Sequence, residues 1–199
     1  SVFDMDNIIY QLRTEKREAK IFLIRDGGQP TFVTEGIGER WSPDGNKFIV
    51  KESRPSLDDP KGRINTVFVS IFDSFGQKLM ETSEFGIVNW IRWAPNSNKI
   101  VVGDYGGTSF YIVYFEEVNG KLSIKNKYHF PGFEPEVEKR RFYGALYPKW
   151  SPDGSKILFK RTIDDGHYSL DEDIWILEDG SYDCYPLKDF ENVYIKDVT

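Results

Sequence analysis

Apolar and polar positions alternate in short runs along this chain, and turn-forming residues punctuate them. Residues 7–13 and 19–25 are apolar, β-branched-rich runs separated by the charged turn Thr14 to Glu18. Asp26-Gly27-Gly28 is a hairpin signal that leads into a third run at 30–34. The same pattern predicts strands at 37–41, 47–51, 66–73 and 78–82, then at 88–93, 99–104, 109–116 and 122–129. It predicts four more at 146–150, 156–161, 173–178 and 183–188, and a last strand-like run from Asn192 to Lys196. Turns fall at Asp73-Ser74-Phe75-Gly76, Asn119-Gly120 and Asp179-Gly180. Pro and Gly interrupt every stretch that could carry a 3.6-residue period, so no helix is predicted. The fold class is all-β.

One phrase occurs three times: Trp41-Ser42-Pro43-Asp44-Gly45-Asn46-Lys47, Trp93-Ala94-Pro95-Asn96-Ser97-Asn98-Lys99 and Trp150-Ser151-Pro152-Asp153-Gly154-Ser155-Lys156. An apolar run follows each copy. The chemistry is that of a tight turn between two strands. The Ser hydroxyl bonds back to the backbone, Pro presets φ, Asp follows, and Gly takes the left-handed position. In the middle copy Ser97 stands where the others have Gly, so there the left-handed residue is strained or the turn differs. The copies lie 52 and 57 residues apart. A period near that value means stacked modules, each with room for four short strands, and such modules arranged around an axis make a β-propeller. The Trp residues are expected to pack between adjacent modules. The phrase resembles the WD40-like PD40 repeat of TolB-type propellers, in which Trp-Ser-Pro-Asp-Gly-x-Lys/Arg is the signature. The motif residues Trp41, Pro43, Asp44, Gly45, Trp93, Pro95, Trp150, Pro152, Asp153 and Gly154 carry that resemblance.

The expected architecture is a propeller of four-stranded antiparallel blades, about four in number. The modules span about 7–36, 37–85, 86–144 and 145–190, with 191–199 left to close onto the first. The first module lacks its first strand. Closure by the last run would make a four-bladed ring without open sheet edges. The resemblance implies six to eight blades, so the alternative is part of a larger propeller, which would associate with itself or with a missing segment.

Aromatics form 16% of the 199 residues, which suits strands packed face to face. Net charge is −6 with both signs mixed and no basic block, so nucleic acid is not an expected partner. No apolar run reaches the length of a membrane span. The single Cys184 excludes an internal disulfide and, in a predicted strand, reads as packing. The first residue is Ser rather than Met, which suggests a processed or trimmed chain.

Antiparallel geometry puts the first-to-second and third-to-fourth turns of each module on one rim. The other rim receives every long segment: 52–65, 130–145 and 162–172. Long loops on a rigid scaffold are where binding sites are built. The segment 52–65 is charged and stiffened by Pro55 and Pro60; it is either a solvated excursion or a partner loop offering Arg54. The segment 130–145 sets Phe133, Phe142 and Tyr143 beside Arg140 and Arg141, the composition of interface hot spots, unless the aromatics tuck under the loop as a satellite core. The segment 162–173 adds His167, Tyr168 and clustered carboxylates that lack the spacing of a calcium loop. Asp173 reads as a strand opener. Two histidines, no nucleophile motif and no phosphate loop leave no catalytic, metal or cofactor residues to nominate.

The expected function is therefore a non-catalytic scaffold that binds a protein or peptide through the long-loop rim. The resemblance implies protein partners and an extracytoplasmic, periplasmic or secreted, setting. Similar repeats also form the propellers that gate prolyl-oligopeptidase-like and tricorn-like peptidases, so the alternative is a substrate-gating portion without its catalytic domain. A carbohydrate-processing propeller such as the oligogalacturonate lyases would need more active-site histidines.

Overall fold

In the computed structural model, which describes residues 7–13, 19–56, 65–104, 107–133, 142–164 and 169–187, the three repeated phrases are three equivalent hairpin turns. Ser42 and Ser151 act alike. Each hydroxyl accepts the backbone N–H of the motif lysine at 2.9 Å and donates to the aspartate two residues on, at 2.5 Å in the first and 2.6 Å in the last. Gly45 and Gly154 sit at φ 73° and 71°, where a Cβ is disfavoured. Ser97 occupies the same conformation at φ 58° and is buried. Its Oγ accepts the Asp44 N–H at 3.1 Å, a bond from the preceding module's turn that glycine could not receive.

The described strands are β1 (Asn7–Arg13), β2 (Ala19–Arg25), β3 (Thr31–Glu35), β4 (Ile37–Trp41), β5 (Lys47–Pro55), β6 (Asn65–Asp73), β7 (Lys78–Thr82), β8 (Val88–Trp93), β9 (Lys99–Asp104), β10 (Phe110–Val118), β11 (Lys121–Phe130), β12 (Phe142–Trp150), β13 (Lys156–Asp164), β14 (Ser169–Glu178) and β15 (Cys184–Pro186). They form four antiparallel sheets in the orders β1-β2-β3, β4-β5-β6-β7, β8-β9-β10-β11 and β12-β13-β14-β15. No helix occurs among the described residues.

The first sheet has three strands. Its β2–β3 turn lies beside the β6–β7 turn of the second sheet: the Arg25 guanidinium stands 5.0 Å from the Phe75 ring, and Gly76 meets Val33 and Leu23. β1, β2 and β3 are thus the second, third and fourth strands of their sheet. Residues 191–199, assigned from sequence to the missing position, lie outside the described residues.

Several strands run further than their apolar pattern. β12 begins at Phe142 and β14 at Ser169, and β5 reaches Pro55. Beyond the core the ladder continues through polar cross-strand pairs such as Arg54↔Thr66 and Arg161↔Asp173. A bulge between Leu146 and Lys149, with Tyr147 at φ 54°, breaks the alternation in β12 and hides its first half from a period-two pattern. β15 is short; Pro186 lies opposite Trp175 where no ladder N–H is required, and beyond it the Leu187 N–H still donates to the Ile174 carbonyl at 2.8 Å.

Between successive sheets lie three hydrophobic clusters. Ile21, Phe48, Val50 and Phe72, with Trp41, join the first to the second. Ile49, Val69 and Ile71 meet Trp93, Ile100, Val102 and Val113 between the second and third. Val101, Phe110 and Ile112 meet Ile157, Phe159 and Leu177, with Trp150, between the third and fourth. The repeated indoles occupy rotationally equivalent places. Trp93 Nε1 donates to the Arg40 carbonyl at 3.2 Å, and Trp150 Nε1 donates to the Arg92 carbonyl at 3.4 Å. In each case the acceptor is the residue preceding the previous module's tryptophan. Each sheet packs on the next, and among the described residues no cluster joins the fourth sheet to the first.

Candidate partner-binding rim

Strand register assigns every loop to one of two rims. On one rim the chain turns tightly at Ser42–Lys47, Asp73–Gln77, Ala94–Lys99, Val118–Lys121, Ser151–Lys156 and Glu178–Asp183. On the other it leaves and re-enters the sheets at Pro55↔Asn65, Gly103↔Phe110 and Phe142↔Asp164↔Ser169. The short-turn rim is stitched from sheet to sheet. Lys99 is buried, and its ammonium donates to the Gly154 carbonyl at 2.8 Å and to Asp179 at 2.5 Å, 4.8 Å from the Trp150 ring centre. The Tyr114 hydroxyl donates to the other oxygen of Asp179. Burial first, then that hydrogen bond to a carboxylate, pushes the Tyr114 phenol far above its ordinary range. Tyr182, behind it, stacks on Tyr128 with ring centres 3.6 Å apart.

Of the nominated residues, Arg54, Phe133 and Tyr143 are described with their side chains, and they fall in two separate groups on the opposite rim. Phe133 and Tyr143 meet at its fourth-sheet end. Phe133 packs edge-on to Trp175 at 4.7 Å and lies 5.7 Å from Phe130, 6.1 Å from Phe159 and 6.3 Å from Tyr143. Half-buried against the main core, it does what a satellite-core residue does while still lining the rim. At the centre of this group stands Arg161, its guanidinium 4.8 Å from the Trp175 ring centre, 5.3 Å from Phe133 and 5.5 Å from Tyr143. Asp173 holds it in two bonds of 2.8 and 2.5 Å. A planar cation fixed by a bidentate carboxylate and faced by aromatic rings is held in one orientation. The sequence reading passes over Arg161 and counts Asp173 as one of the clustered carboxylates and as a strand opener. The pairing of β13 with β14 brings the two residues opposite each other, a register that the Asp179-Gly180 turn, which joins β14 to β15, does not set.

Arg54 belongs to a different group on the second sheet. It donates to Glu81 at 3.0 and 2.9 Å and to Glu52 at 2.6 Å, and its guanidinium covers Phe68 at 4.3 Å. Ser70 and Lys78 also donate to Glu81, at 3.0 and 2.5 Å. The Arg54 contacts hold the Glu81 carboxyl down at about 2, against the opposing effect of burial. Nearby, Glu35, Ile37, Lys51, Glu52, Val67 and Val88 line a cleft of about 370 Å³ between the first three sheets.

Arg140, Arg141, His167 and Tyr168 lie outside the described residues, and of Phe142 only the backbone is described. Cys184 packs on the core of the fourth sheet, and burial pushes its thiol up to about 11, away from thiolate chemistry. Among the described residues no group of three or more His, Cys, Asp or Glu is placed to share a metal ion, and no helix is long and apolar enough to cross a membrane.

No family model matches the chain, and no curated protein matches it. Solved structures do. The β-propeller domain of the trilobed protease from Pyrococcus furiosus, described as having an open velcro topology, aligns at a TM-score of 0.52 with 18% identity over 93% of this chain and 53% of its own. A eukaryotic initiation factor aligns at 0.53 with 16% identity over 86% of this chain and 40% of its own. TolB from Acinetobacter baumannii aligns at 0.49 with 16% identity, over 92% of this chain and 41% of its own. The chain spans about half the length, or less, of these structures. With its repeated antiparallel sheets, its fold is that of a β-propeller.

Proposed function

We propose that this chain is a non-catalytic, TolB-like propeller scaffold built from PD40-type repeats, and that it binds a protein or peptide through the long-loop rim. The observation that carries the reading is the asymmetry between rims. One is sealed by locked turns and buried polar stitches. The other is where the strands flanking the three long segments end, and it carries the Arg161–Asp173 pair in its aromatic setting. Aromatic rings beside a fixed guanidinium supply apolar area and directed hydrogen bonds at low entropic cost, as interface anchors do. A displayed library of random peptides panned against the purified chain tests it. Enriched peptides are expected to lose binding at least about tenfold when Arg140 and Arg141 are changed to Glu, a loss of about 1.4 kcal/mol, with the melting temperature nearly unchanged. Binding that survives this change and disappears on replacing the Asp73–Gln77 turn would sink the proposal.

The likeness to the trilobed protease propeller favours a second reading, that of a gating propeller which filters substrates for a separate peptidase domain. A peptidase domain encoded next to this chain would decide for it.

A further inference from the structure

The cross-strand registers of the last three sheets superimpose. Ile49↔Ile71 in the second sheet corresponds to Val101↔Ile112 in the third and Leu158↔Ile176 in the fourth, and the following pairs place Val69, Phe110 and Ile174 alike. In the second and third sheets these side chains are at most 1% exposed, because the next sheet covers them. In the fourth, Leu158, Ile174 and Ile176 are only partly buried, and Tyr185 extends the same face at 36% exposure.

The first sheet has the opposite face uncovered. Ile9 and Ile21 point into the cluster shared with the second sheet. The alternate positions pair as Ile8↔Ile24, Tyr10↔Phe22 and Phe22↔Phe32 and look away from it, with Ile8 at 47% and Phe32 at 52% exposure. Tyr10 stacks on Phe22 at 5.4 Å, and Phe22 meets Phe32 at 5.7 Å. This face is an apolar aromatic surface of the kind that buries Phe48 and Phe72 in the second sheet against the first. One end of the stack thus carries the face that elsewhere receives a following sheet, and the other carries the face that elsewhere receives a preceding one.

We propose that two copies of this chain close head to tail into one propeller, the fourth sheet of each seated on the first sheet of the other. A second copy is the occupant because it supplies both missing faces with the chemistry the internal contacts already use. One two-fold axis then closes the ring and leaves no naked face. Chain order agrees. The next strand after β15 would be the first strand of a following sheet, which is the strand the first sheet lacks among the described residues. The inference does not depend on the rim's binding role.

Light scattering on a sizing column and native mass spectrometry of the purified chain test it. Twice the mass of one chain is expected at micromolar concentration. Ile176→Glu and Phe22→Glu should each raise the dimer dissociation constant at least about tenfold while keeping the far-ultraviolet circular dichroism of the parent. Mixed one to one, the two variants should regain part of the dimer, because the pair retains one unaltered contact; a same-to-same contact could not do this. A monomer, the result if these faces belong to further sheets of a longer polypeptide, would overturn the proposal. So would a dimer indifferent to both substitutions, or an open series of larger species. Should either variant fail to fold, Leu158→Lys and Ile8→Lys probe the same faces.

Discussion

Glu81 shows how one residue couples the second sheet to pH. Its carboxylate accepts from Arg54, Lys78 and Ser70, and these contacts hold it near 2 when its ordinary value is 4.5. A depressed folded-state pKa means the unfolded chain takes up the proton first. The stabilisation is therefore complete above about pH 4.5 and disappears as pH falls toward 2. Asp153 titrates in the same window: the Ser151 hydroxyl first, then the Ser155 N–H, hold it at about 2. The melting temperature should fall steeply across this interval. Glu81→Gln should flatten part of the slope, leaving the share due to Asp153 and other carboxylates. Melting curves for both proteins at intervals between those pH values check it, and parallel curves would refute it. Arg54, nominated as a rim contact, spends its donors inside the sheet on Glu81 and Glu52.

At the scale of elements, the sheets are held by apolar clusters and pinned by a few polar bonds that recur from one junction to the next. The indole-to-carbonyl bonds of Trp93 and Trp150 are one such series. The Lys99–Asp179 pair is the strongest single pin, since both side chains are about nine-tenths buried. Removing one partner leaves a charge without water or counter-ion. Lys99→Met should cost about 3 kcal/mol, and the double change Lys99→Met, Asp179→Leu distinctly less. Urea denaturation of the single and double variants measures the difference. Equal losses would show that the pair acts through packing rather than charge.

At the scale of the whole molecule, equivalent positions have unequal environments. Ile112 and Ile176 occupy the same register position in successive sheets, yet one is fully buried and the other partly exposed. Ile112→Glu should unfold the chain, because a carboxylate is forced into a closed cluster at a cost of more than about 4 kcal/mol. Ile176→Glu in dilute solution should keep the native circular dichroism and melt within a few degrees of the parent. Unfolding by both would mean that the fourth sheet's outer face is covered within one chain.

The repeated Trp-containing phrase made the fold legible because turn chemistry is local. Ser, Pro, Asp and Gly specify a tight hairpin through bonds within six residues, and the apolar pairs after each lysine specify two-sided strands. The period between copies carried that to a stack of sheets. The first half of β12 was hidden by its bulge, and the outer ends of β5 and β14 by their polar residues. Of the candidate rim, Phe133 and Tyr143 could be nominated by composition. Arg161 became visible only once register set it opposite Asp173 and among rings from three different segments. Sequence alone determined the hairpins, the strand faces and the number of modules, because each depends on neighbours a few residues apart. Tertiary structure alone decided which apolar faces are covered and which are left bare. The periodicity that makes a face apolar is identical in every sheet, and only the presence of a neighbouring sheet tells them apart.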